Sequence, residues 1–402
     1  MERHSVIGIF AAAAVFALSA CAVPPDAAAD GGATEGSVLI GVFEPLSGSE
    51  RAGGAAEIAG IELAHSLRPE VLGRPVELVR SDNRSDLDGA RNAARLLAWR
   101  GVSVVIGSYG NTLSLAGGEV FEELGLPAIA VTNGNPLVTN TNDCYFRVRP
   151  LDTFQGVAAA KYAVEKLATT RAAVMRDTDS DYSVAMCQAF SDKYISLTGN
   201  PDAVAYTFDY GAGTDDYSSG LRDIRDAGAE AVFLPAEAGD ALAAAGQARE
   251  IGLEAVFVGT ELWEADDTLL KATDSALLSR LAFSSAQGRD SGRTARRDEF
   301  LRAFSARFGG VTEPGPSVAL GFDAYMLAID AIERAGSAER GAVRQALAET
   351  RSFPGASGEI SFDENGDPIK PVPIMAARDG AFVNIYTAEP KWAVATEAAI
   401  LP

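Results

Sequence analysis

From residue 38 onward, fully apolar, β-branched runs alternate with stretches of helical periodicity, and this alternation narrows the folds open to the chain. Residues 38–43 (VLIGVF) are apolar throughout and lead into a Pro/Gly/Ser loop at 44–48 and a small-residue helical stretch at 52–67. Strands follow at 75–81, 103–107 and 127–131, with helices at 86–100 and 111–124 between them. The pattern resumes with helix 153–168, strand 171–176, helix 181–197, strand 202–208, helix 214–228, strand 230–235, helix 238–251 and strand 255–259. A strand without a polar face is buried on both sides. Helices between successive strands make those strands parallel, with right-handed crossovers. The units are too many for one small sheet, so the expected architecture is α/β with two doubly wound lobes. A closed β/α barrel is the rival. Against it stand three successive helices, 293–308, 317–335 and 339–349, before short β signals at 357–362, 373–378 and 382–386.

Charge and rare residues then remove function classes. Asp and Glu number 55 against 34 Lys and Arg, a formal net charge of −21, which repels a phosphate backbone and disfavours nucleic acid as a partner. The two histidines are His4 and His65, so histidine-based triads and zinc clusters are poorly supplied. No G-x-x-x-x-G-K-[ST], G-x-S-x-G or C-x-x-C occurs. Neither a cofactor nor a metal is expected, nor an enzyme. The residual enzymatic option is carboxylate chemistry by Asp181 and Glu261. Three cysteines, Cys21, Cys144 and Cys187, are too few for a disulfide scaffold, but Cys144 and Cys187 are available to pair in an oxidising compartment.

The N-terminus reads as an address. Arg3 and His4 precede an apolar stretch at 6–18, short for a membrane span and right for a signal core. Leu18-Ser19-Ala20-Cys21 resembles the bacterial lipobox, in which the cysteine takes the lipid. Residues 22–36 are small, Pro- and Gly-containing and patternless, as in a flexible tether. The expected location is the periplasm or cell surface, anchored to the membrane through Cys21.

Eight segments, in order, resemble the type I periplasmic binding proteins of the leucine/isoleucine/valine-binding family. They are VLIGVFEPLSG (38–48), the second β/α unit (76–100), VVIGSYGNT (104–112), PAIAVTNGNP (127–136), DTDSDYS (177–183), FVGTELW (257–263), the helix holding FDAYMLAIDAIERAG (319–336) and GEISFDENGD (358–367). The resemblance covers the whole chain after the tether. It implies two lobes joined by three strand crossings near 148, 285 and 370, with solute trapped by hinge closure. Lobe I would hold 37–148 plus 286–370, and lobe II 149–285 plus 371–393.

Ligands of open parallel sheets collect at strand carboxyl ends, beside helix N-termini. The turn at 107–112 is such a place: its N–H groups and the side chains of Asn111 and Thr112 can donate to a carboxylate. Asn111 as a plain helix cap is the equal alternative. The resemblance adds a second contact turn at Thr132, Asn133 and Gly134, and Tyr182 from the second lobe. It makes Glu261 the partner of a ligand ammonium. Trp263, two residues on, is placed either as a wall of the pocket or, equally, as a structural residue. Glu237 follows a strand toward the same region. Where the family often places an aromatic over the ligand, this chain has Gly53, which implies a roomier pocket or entry of Arg51. The function implied is capture of a branched-chain-like amino acid for the membrane permease of an ABC-type importer. The alternative is a ligand-sensing receptor component for an amide or small aromatic acid.

Overall fold

The structure, a computed structural model, describes residues 36–140, 142–264, 267–285, 294–309 and 314–389. The first sheet is built from β1 (Val38–Glu44), β2 (Glu70–Val71), β3 (Arg74–Asp82), β4 (Val104–Gly107), β5 (Ala128–Ala130) and β6 (Tyr145–Arg147). Between them run α1 (Arg51–Leu67), α2 (Leu87–Trp99) and α3 (Asn111–Glu123). The strand order is β2-β3-β1-β4-β5-β6, parallel apart from the short β2–β3 pair. The chain then enters α4 (Asp152–Lys161), β7 (Ala172–Asp177), α5 (Asp181–Thr198), β8 (Val204–Tyr210), α6 (Ser218–Asp226), β9 (Ala231–Phe233), α7 (Ala238–Glu250) and β10 (Val256–Gly259). Two one-turn helices, α8 (Thr268–Lys271) and α9 (Ser275–Leu278), precede β11 (Leu281–Ser284). Helices α10 (Ala295–Phe308), α11 (Pro316–Ala335) and α12 (Arg340–Ala348) follow, then a β12–β13 hairpin (Phe353–Gly355, Gly358–Ile360), β14 (Val372–Arg378) and β15 (Ala381–Ala388). The second sheet runs β15-β14-β11-β10-β9-β7-β8, with β14 and β15 as its antiparallel edge. Both sheets are open, which excludes the closed barrel.

Burial follows the sequence pattern. Ile40 and Val42 of β1, Val104 and Ile106 of β4, and Ile129 of β5 turn one way, into a core with α1, α10, α11 and α12. Phe43, Val105 and Ala128 turn the other way, against Ala90 and Leu97 of α2 and Phe121 of α3. The pairing of α1 with α11 depends on two glycines. A Cβ on Gly60 would lie 2.0 Å from the Val318 carbonyl oxygen, and one on Gly321 would lie 2.3 Å from that of Glu57. Helices α10 to α12 thus return to the first sheet after the chain has built most of the second. The chain passes between the sheets three times, at β6 to α4, β11 to α10, and β13 to β14.

Three expectations change. Strands β6 and β11 are not read from the sequence, because β6 ends on Arg147, with Arg149 beyond it, and β11 ends on Ser284, before Ser285, so neither shows a long fully apolar run. Helix 214–228 begins only at Ser218, because residues 211–217 are held as a loop: Thr214 donates to the Gly211 carbonyl, and Gln247 clamps Asp215 and Tyr217. The cysteines do not pair. Cys144 is buried at the edge of β6 in the first lobe, while Cys187 is buried on α5 in the second, its sulfur 3.5 Å from the Met175 carbonyl.

Candidate functional site

Three strand ends of the first sheet converge on a cavity of about 360 Å³. It is lined by Glu50, Tyr109, Gly110, Asn111, Thr132, Asn133 and Arg149, and by Pro316, Ser317 and Leu320 at the start of α11. Helix α3 opens here on Gly110, whose φ of 92° suits a residue without a side chain and which supplies no capping group. The first intrahelical bond is from Ser114 N–H to the Gly110 carbonyl, so the first-turn N–H groups stay available to an anion. The donors are fewer than the turn at 107–112 suggests. Ser108 N–H is spent on Ser114 Oγ, and Tyr109 N–H on Glu44 at 2.9 Å.

Of the site residues expected from sequence, Asn111, Thr132 and Asn133 line this cavity. Asn111 Oδ1 accepts from Asn135 N–H at 3.4 Å, leaving its amide N–H₂ as the donor. Both polar atoms of the Asn133 side chain are buried without a hydrogen bond among the described residues. Thr112 is exposed on the second turn-position of α3. Gly134 is a packing residue. A Cβ there would overlap the Asp152 carboxylate, and its carbonyl caps Asp152 N–H at 3.0 Å. Glu237 is the exposed N-cap of α7. Of the two roles open to Trp263, the structure shows the structural one: it is fully buried in the second lobe's core, stacked on Gly259 and 6.3 Å from Phe283, and is not among the residues that line the cavity.

Gly53 does not open the pocket. The Tyr109 ring lies directly over it, so close that a Cβ would sit 2.3 Å from the ring. The aromatic wall expected from the first loop is supplied by the turn after β4 instead, and Arg51 remains exposed.

Arg149, at the first crossing, is the residue that the sequence reading missed. Its guanidinium donates to the Thr132 carbonyl at 2.8 Å, to Asp152 at 2.7 Å and to Glu261. One side chain therefore ties the first lobe's contact turn to β10 of the second. Burial pulls the guanidinium's pKa down, but Glu261 and Asp152 outweigh it and the net shift is upward. Two carboxylates against one cation leave this corner with a net negative charge. Glu261 Oε2 is buried and accepts no bond among the described residues. Glu261 N–H donates to Gln155 Oε1 at 3.1 Å, and Gln155 also receives the Ser284 hydroxyl, so α4 fixes the Glu261 backbone. Tyr182 faces the same corner. Its hydroxyl is buried beside Thr260, and burial followed by the charge of Glu261 pushes its pKa up. The signal for Arg149 is the run YFRVRP (145–150), where two arginines alternate with apolar residues as a strand leaves the sheet.

An uncapped helix start, orphaned amide and carboxylate atoms and a cross-lobe ion cluster thus stand together, an arrangement able to hold a small polar solute. The comparisons agree. The Leu/Ile/Val-binding protein homolog 2 of Brucella abortus is 26% identical over 349 residues, covering 84% of this chain and 89% of that protein. A leucine-binding protein of Thermotoga maritima superposes with a TM-score of 0.65 at 31% identity, over 88% of this chain and 99% of that one. The branched-chain amino acid transporter substrate-binding protein of Streptococcus pneumoniae, solved with isoleucine, gives 0.65 at 25% identity, over 88% and 100%. The family model described as periplasmic binding protein matches residues 37–381, most of the chain. With its two open α/β lobes and its cross-lobe site, the chain belongs to the periplasmic binding protein family.

Proposed function

We propose that this chain is the solute receptor of an ABC-type importer, capturing a branched-chain amino acid or close analogue and presenting it to a membrane permease. The observation that carries this reading is the pairing of opposite fields at the cavity and behind its Arg149 wall. The bare start of α3 suits a carboxylate, and the Arg149–Asp152–Glu261 cluster, with its excess negative charge, suits an ammonium. Leu320, Pro316 and the Tyr109 ring offer an apolar wall for an aliphatic side chain. The relatives support it: one named for leucine, isoleucine and valine, one for leucine, and one holding isoleucine. The contact set we assign to the solute is Asn111, Thr132, Asn133, Tyr182 and Glu261. We take the lobes as 37–148 plus 286–370 and 149–285 plus 371–393, closing about the three crossings.

Closure is expected because a solute bound to both lobes makes its full contacts only when they meet. Titration with L-leucine, L-isoleucine and L-valine should raise the melting temperature, and small-angle scattering should show a smaller radius of gyration. If none of the three binds, the amino-acid reading fails; binding with an unchanged profile sinks the closure mechanism. The lipid anchor rests on Cys21, which lies outside the described residues. Replacing it, Cys21→Ala, should move the processed protein out of the detergent phase, and retention there would contradict lipidation.

A further inference from the structure

We infer that Glu44 and Glu57 share one proton beneath the cavity and act as positioning residues whose ionisation couples solute affinity to pH. Glu44 ends β1 and Glu57 lies on α1, and both are completely buried. Their carboxyl groups meet side chain to side chain. Each has one oxygen satisfied by a contact turn: Glu44 Oε2 by the N–H of Tyr109, Glu57 Oε1 by the hydroxyl of Thr132. The other two oxygens, Glu44 Oε1 and Glu57 Oε2, are buried and receive no donor among the described residues. No Lys or Arg of the described residues pairs with either acid. Two carboxylates in contact without a cation cannot both stay ionised, and a proton between them satisfies both orphan oxygens at once. Gly107 leaves the room, since a Cβ there would lie 2.4 Å from Glu44 Oε1.

The surroundings are consistent with a trapped proton. Tyr145 of β6 is the titratable side chain that faces both acids, and its hydroxyl is engaged with the Gly107 carbonyl. Asp82, beside Glu44 in β3, is turned to Leu46 and Ser47. On α11, Gly321 meets the Glu57 backbone, and Asp323 is turned to Ala356 and Ser357. Arg149 reaches the pair only through the Thr132 carbonyl. Burial first, then the mutual contact, pushes Glu44 well up, and burial pushes Glu57 up to about 7. The pair therefore gives up one proton near neutrality and holds the other between its two carboxyl groups, and Glu57 is the member whose charge Thr132 relays to the cavity.

The consequence reaches the cavity through Thr132. With Glu57 ionised, the Thr132 hydroxyl must point its hydrogen at Glu57 and its lone pairs at the cavity. With Glu57 neutral, that orientation is no longer enforced and the negative charge under the floor is gone. A solute ammonium then binds less well. This rests on the amino-acid reading above, and the test separates the two. Isothermal titration of L-leucine from about pH 6 to about pH 8 should show affinity rising about three- to tenfold in the native protein. The profile should be flat in Glu57→Gln, which keeps the shape and an acceptor for Thr132. Groups outside the pair that titrate in this range, such as Lys370, which burial lowers to about 8, are present in both proteins and cancel. An equal slope in both proteins, or a flat native profile with leucine bound, overturns the proposal. Carboxyl ¹³C resonances judge the pair without any solute. One carboxyl titration near 7 should be present in the native protein, and it should be lost or moved in both Glu57→Gln and Glu44→Gln. If leucine does not bind but this resonance is present, the solute reading fails and the shared proton stands. If every glutamate titrates in the ordinary carboxyl range, the shared proton is wrong.

Discussion

Glu261→Ala is expected to weaken binding of the best amino-acid solute by on the order of 10²–10³-fold, or about 3–5 kcal/mol. The loss has two parts. The solute ammonium loses the buried Oε2 that accepts nothing else among the described residues. Arg149, which holds Glu261 in the native protein, is left with Asp152 alone, so the corner changes from net negative to neutral. A cation arriving there meets a half-released guanidinium. Glu261→Gln should recover only part of the loss, because an amide accepts a bond but restores no charge. Isothermal titration against L-leucine and L-isoleucine checks both variants. Binding by Glu261→Ala within a few-fold of the native protein would remove the ammonium from this corner. Asn111→Ala should cost less, about 1–3 kcal/mol, since the backbone N–H groups of α3 remain.

The second large effect concerns folding. Arg147 is completely buried at the end of β6, 2.6 Å from Asp367. It also donates to the Asn133 carbonyl at 3.2 Å and to the Thr139 hydroxyl, which itself donates to Asp367. The cluster pins the contact turn after β5 to the turn that precedes the third crossing. Burial lowers the pKa of Arg147 and raises that of Asp367, so both ions pay for leaving water. Arg147→Ala leaves Asp367 buried and unpaired, and should destabilise the first lobe by about 3–5 kcal/mol, read as a lower urea midpoint. An Arg147→Met, Asp367→Leu double variant should be markedly more stable than Arg147→Ala, because it buries no lone charge. If Arg147→Ala unfolds at the native midpoint, the cluster contributes nothing to stability.

The two lobes were legible because a doubly wound sheet writes itself locally. A run such as VLIGVF has no polar face, so it declares a strand buried on both sides, and the helix after it has to cross over. Asn111, Thr132 and Asn133 were legible for a related reason: they stand directly after such strands, where the topology puts ligand sites. Glu261 was singled out the same way, as an acid that follows an apolar strand, and the structure sets it on Arg149, which lines the cavity. Strands β6 and β11 were missed because an arginine ends the one and a serine the other, so neither presents an uninterrupted apolar run.

What the chain could not reveal from its order alone lies in contacts between distant segments. Trp263 next to a strand end looks like a pocket wall, and only packing against Gly259 and Phe283 makes it core. Gly53 looks like an empty place until Tyr109, 56 positions on, lays its ring over it. Arg149 meeting Glu261, Arg147 meeting Asp367, and Glu44 meeting Glu57 join residues 112, 220 and 13 positions apart. Sequence periodicity records which face of an element is buried, because burial of apolar surface is a property of each residue by itself. Which buried charges meet depends on how the finished elements dock, and a charge in low dielectric is stabilised or penalised by its nearest partners alone. The fold was therefore determined along the chain, and the electrostatics of the site only when its lobes were assembled.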